Sequence, residues 1–106
     1  MFNVYLYQHD ATLSAIVATD QPIIGGAEND RALSGRVVTL ASQHADLETA
    51  IEAADNLVDA NNPSEYPMVS ELRGAQAARS GRTYDGSPIL YRQTVEADMG
   101  EGFPDA

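Results

Sequence analysis

The chain has no cysteine and no lysine, and only two histidines, His9 and His44, among its 106 residues. Without cysteine there are no disulfides, no thiolate nucleophile and no cysteine-ligated zinc or iron–sulfur centre, a usage compatible with a reducing compartment. Without lysine, Schiff-base catalysis, the phosphate-cradling lysine of a P-loop and the strand lysine of a kinase are all excluded. Two histidines are too few for a three-histidine zinc site within one chain. Gly25-Gly26 and Gly35 match neither the dinucleotide-binding nor the P-loop glycine pattern, and no GxSxG elbow is present. No cofactor is therefore expected. The opening residues also lack a basic stretch and a long apolar run, so neither a secretory signal nor a membrane span is expected and the cytoplasm is the default location.

Sixteen acids face six bases, all arginine, for a formal charge of −10. A field of that sign repels nucleic acid and anionic membrane surfaces, which argues against direct binding to either and for a protein partner with a basic surface. A GC-rich genome or adaptation to high salt produces similar composition, so charge alone does not separate function from habitat. The length suits one domain with a single modest core.

Period-two alternation of Phe2, Val4 and Leu6 against Asn3, Tyr5 and Tyr7 predicts a first strand with one buried face, either of which could be inward because tyrosine is amphipathic. His9-Asp10-Ala11-Thr12 is a turn, and the apolar, partly β-branched run from Leu13 to Thr19 completes a hairpin. Ile23-Ile24-Gly25-Gly26 leads into a polar loop closed by Gly35, and Val37 to Ala41 is a third strand on its β-branched content. The firmest element is a helix: Asp46 is an N-cap type, and Leu47, Ala50, Ile51, Ala54, Leu57 and Val58 recur at helical spacing. Asn61-Asn62-Pro63 stops it. Beyond it, Pro67 is expected to open a short second helix carrying Met68, Leu72, Ala75 and Ala78, although Gly74 weakens that pattern and an extended Met68 to Leu72 is the alternative. Thr83 to Pro88 reads as a turn, Ile89 to Val95 as a strand, and the acidic, Gly- and Pro-broken end as a loose tail. The expectation is an α+β domain over residues 1–95, a mostly antiparallel sheet of about four strands with the amphipathic helix across one face, followed by a tail at 96–106.

Little points to catalysis. His44-Ala45-Asp46 has the His-x-Asp form of some non-haem iron sites, with His9 as a conceivable second ligand, but Asp46 is better read as a cap and no metal is expected. His9 or His44 could serve a hydroxyl such as Ser14 or Ser42 only through a tertiary arrangement, which leaves a small hydrolase or metal enzyme as the third hypothesis.

A second shortage is of cations around the helix: seven carboxylates lie between Arg36 and Arg73 with no lysine or arginine among them. At about 100° per residue, Glu48, Glu52, Asp55 and Asp59 fall in one line along the helix, about 16 Å long, with no cation at an i±4 position. The bland account is a solvated face in an acidic protein; the functional one is a row of charges that complements a basic groove or imitates spaced phosphates. Arg73, Arg79 and Arg82 could neutralise the row from within. Tyr5, Tyr7 and Tyr91 are candidates for an exposed aromatic patch of the kind that anchors interfaces. The leading expectation is a non-enzymatic binding protein, an inhibitor docking on a basic surface through Glu48, Glu52, Asp55, Asp59, Tyr5 and Tyr7. Small acidic phage and plasmid proteins that block defence systems, anti-CRISPR and antirestriction proteins among them, share this size and charge. The second hypothesis is a salt-adapted or GC-biased housekeeping domain that homodimerises through its sheet.

Overall fold

Alternation along the first strand serves two buried faces. In the computed structural model, which describes residues 1–9, 11–24, 38–62 and 65–97, β1 (Phe2–His9) and β2 (Thr12–Ala18) form an antiparallel hairpin with Val4 opposite Val17 and Tyr7 opposite Ser14. Val4, Leu6, Leu13, Ala15 and Val17 point to one side. Tyr5, Tyr7, Ile16 and Ala18 point to the other, and both sets are buried.

The remaining elements are β3 (Pro22–Ile24), β4 (Val38–His44), α1 (Leu47–Asn61), β5 (Met68–Arg73), α2 (Ala75–Arg79), β6 (Gly81–Thr83) and β7 (Tyr91–Glu96). Five strands form an antiparallel sheet in the order β4-β1-β2-β7-β5, and β3 pairs with β6 in a separate two-stranded ribbon. The α+β architecture expected from the sequence is present, with five strands in the main sheet in place of about four.

Helix α1 begins where expected: the Asp46 carboxylate accepts from Thr49 N–H and from the Thr49 hydroxyl, both at 3.0 Å. It buries Ala50, Ile51, Ala54 and Val58 against Val4, Leu6, Leu13, Ala15, Val17, Tyr91 and Val95. At its end the side chain of Asn62 donates to the Tyr66 carbonyl (3.0 Å) and accepts from Tyr66 N–H (2.9 Å), so an asparagine pins the exit loop. The other sheet face packs Tyr5, Tyr7, Ile16, Ala18 and Val38 against Ala77 of α2 and Ile89. The single buried face inferred from the alternation is thus replaced by two, because α2 lies over the surface that α1 leaves bare.

The short helix expected from Met68 is not formed there. Met68–Arg73 is a strand laddered to β7, with Leu72 opposite Arg92 and Arg73 opposite Tyr91, and only Ala75–Arg79 is helical. Gly74 separates the two at φ +58°, a conformation that costs a residue with a side chain and so ends the strand before the helix starts. The expected turn is present: Ser87 N–H donates to the Thr83 hydroxyl and to Asp85, each at 2.9 Å. The polar loop from Gly25 to Gly35 and the tail from 98 onward lie outside the described residues.

Candidate functional site

The acid row does not stand on the crest of α1. It runs along the flank that overlooks β7 and β5, because the buried stripe of the helix is turned toward β1 and β2 and the row lies to one side of that stripe. Two contacts fix the direction. Asp55 accepts from the Tyr91 hydroxyl and from Gln93 Nε2 (2.9 Å), both on β7. Glu48 lies near enough to Arg73 of β5 to favour its charged form.

The four carboxylates therefore divide. Asp55 is half-buried and committed to β7, a structural role that the sequence reading assigned to partner binding. Glu48, Glu52 and Asp59 are exposed, and among the described residues none of them is in an ion pair. Asp55 was separable in principle: at about 100° per residue it lies about 40° from buried Ile51, closer to the core stripe than the other three.

The arginines answer the charge only in part. Arg73 bonds Glu71 on its own strand (3.0 Å) and stacks over the Tyr91 ring at 5.2 Å. The Glu71 hydrogen bond holds its guanidinium above the ordinary value against the opposing effect of desolvation, with the fields of Glu71, Tyr91 and Glu48 adding to the rise. Arg79 and Arg82 belong to α2 and β6, on the side of the sheet away from α1, and neither forms an ion pair among the described residues. Arg92 also points to that side. Its Nε and Nη2 lie 3.4 Å from Ser14 Oγ, and burial holds its guanidinium below the ordinary value, with the field of Tyr7 opposing.

The tyrosines are not a surface patch. Tyr5 and Tyr7 are 6% and 9% exposed, and Tyr91 is fully buried beneath Arg73. The expectation that Tyr5 and Tyr7 anchor a partner is overturned, because the layer built by α2 and its neighbours covers their face. Asn3 Nδ2 donates to the Tyr5 hydroxyl at 3.1 Å, and burial pushes that phenol upward. Tyr91 is raised further, first by burial and then by its hydrogen bond to Asp55 and the field of that carboxylate.

The histidines assemble no catalytic group among the described residues. His44 Nε2 is hydrogen-bonded to Ser42 Oγ at 2.8 Å, two positions away on one face of β4, and no described acceptor holds its other nitrogen. Asp46 spends its carboxylate on the helix cap. The side chain of His9 lies outside the described residues, and among those described no group of three histidines and acids could hold a metal ion. No helix of the described chain is long and apolar enough to cross a membrane. No family model, no curated protein and no solved structure matches this chain.

Proposed function

We propose that the protein is a non-enzymatic binding module that docks on a basic surface of a protein partner through the exposed acids of α1, Glu48, Glu52 and Asp59. One observation carries the reading: these three carboxylates stand exposed along about three turns on one flank of a firmly packed helix, and no described cation pairs with them, since Arg73 is bonded to Glu71 and the other described arginines lie on the far side of the sheet. Glu48 and Glu52 are an i,i+4 pair of like charge, which costs a few tenths of a kcal/mol, so their placement is maintained against a small gradient of stability. A groove that normally holds a nucleic-acid backbone fits such a row, which makes inhibition by competition the natural mode of action.

The test uses a Glu48→Lys/Glu52→Lys/Asp59→Lys variant that leaves Asp55 in place. Proteins captured by the wild type at low salt are identified, and the affinity of the purified partner is measured for both chains by calorimetry. The reading requires a loss of about a hundredfold or more in the variant, and competition between the wild type and nucleic acid for the partner. Equal affinity for the two chains overturns it.

A further inference from the structure

Helix α1 covers β1 and β2, with lesser contact to β4 and β7, and leaves β5 bare on that side. Strand β5 is also the end of the sheet, so one row of its backbone N–H and C=O groups has no strand partner among the described residues. Edge strands are usually blunted by charged side chains, proline, a bulge or a covering element. Here the register shifts between Met68 and Ser70 and Glu71 bonds Arg73, yet no described element covers the edge on the α1 side, and Met68 and Val69 are 54% and 55% exposed. The acid flank of α1 overlooks β7, the neighbour of this edge, through the bonds of Asp55 with Tyr91 and Gln93, and Arg73 of β5 stacks on that same Tyr91.

We infer that β5 is the docking edge, and that its occupant is an extended basic segment of the partner which adds to the sheet as a sixth strand on the side of the molecule that the acid flank of α1 faces. The inference rests on the proposed function and specifies its geometry. Charge selects the occupant: Glu71 and Arg73 lie on the helix side of the edge and bond each other, while the exposed Glu48 and Glu52 of α1 add negative charge on that side with no described cation paired to them, so the position opposite Glu71 favours a cation. On the other side of β5, Leu72 packs against the second apolar cluster, so the alternate positions of the incoming strand favour apolar side chains. The expected sequence of the segment is therefore basic and apolar in alternation. A second copy of this chain is the wrong partner. Antiparallel pairing of β5 with itself places both acid flanks on one side of the joined sheet, facing each other across it, in molecules that each carry −10.

The probe is a capped heptapeptide of alternating valine and arginine, titrated into isotopically labelled protein at low salt. Two further versions carry backbone N-methyl groups, one on the valines and one on the arginines. In an added strand, alternate N–H groups face the sheet and the rest face water, so one version must lose affinity by about tenfold or more while the other binds like the parent. Amides of Met68 to Arg73 should shift and gain exchange protection, with those of β4 unchanged. Equal binding by both methylated peptides, shifts confined to α1 or to β4, or no binding of the parent peptide overturns the inference. A dimer in sedimentation equilibrium that the peptide dissociates also overturns it. The Glu48→Lys/Glu52→Lys/Asp59→Lys variant separates the two levels. Unchanged peptide binding in that variant defeats the underlying reading, whereas lost binding together with equal affinity of the methylated peptides defeats strand addition alone.

Discussion

Asp55 and Tyr91 carry the main polar contact between α1 and the sheet, and their deletion should be felt as lost stability. Replacing Asp55 with alanine strands a buried hydroxyl and the Gln93 amide, which should cost about 1–3 kcal/mol in urea denaturation. Asp55→Asn keeps an oxygen acceptor and should cost less, with little change in partner affinity. The phenol of Tyr91 is raised above its ordinary value of about 10 by burial, by donation to Asp55 and by the carboxylate field. Above that pH the unfolded chain loses the proton first, so it binds fewer protons than the native state and stability falls as pH rises. The contribution is complete below pH of about 10 and declines above it. Tyr91→Phe should flatten that alkaline decline in melting curves taken across the range, and an unchanged slope would remove Tyr91 as its cause. The role of Asp55 was partly legible beforehand, because its helical angle places it beside Ile51. The donors were not, since a tyrosine and a glutamine 36 and 38 residues away reach it only through strand order.

Helix α1 was readable almost to the residue because its signals are local: a capping aspartate, a stripe at helical spacing and an asparagine stop. β5 was not, because a Pro-led run with alanines beyond it suits a short helix, and the ladder to β7 that decides otherwise is a long-range contact. The buried Tyr5 and Tyr7 escaped for a related reason. A strand with apolar residues on one face and amphipathic ones on the other gives no sign that a second layer will cover both. The same helix shows what its charge costs. Asp59 sits in the last turn, where the helix dipole is negative and no basic residue is present. Asp59→Lys should therefore raise stability by about 0.3–1 kcal/mol while weakening capture of a basic partner. Stability and affinity moving in the same direction would argue that Asp59 serves the fold. Asp46→Ala should lower stability by about 1 kcal/mol through loss of the cap, leaving the acid flank in place.

At the scale of the whole molecule, the excess of acid is a field acting over the Debye length, about 10 Å at 0.1 M salt and about 3 Å at 1 M. If the acids serve a partner, salt relieves mutual repulsion in the native state and nothing more. The melting temperature should then rise at low ionic strength and level off once screening reaches the spacing of the row, about 6 Å per turn. A chain adapted to high salt should instead continue to gain stability into the molar range. The charge-reversal variant sharpens the comparison, since each reversal replaces a negative charge with a positive one and three bring the net charge from −10 to −4. Its melting temperature should start higher than that of the wild type in dilute buffer and depend less on salt, while its affinity for a basic partner is lost. Calorimetric scans of both chains from dilute buffer to molar sodium chloride check this. A wild-type curve that climbs throughout, with the variant following in parallel, would place the acids in the service of solvation and leave the row on α1 without a partner to explain it.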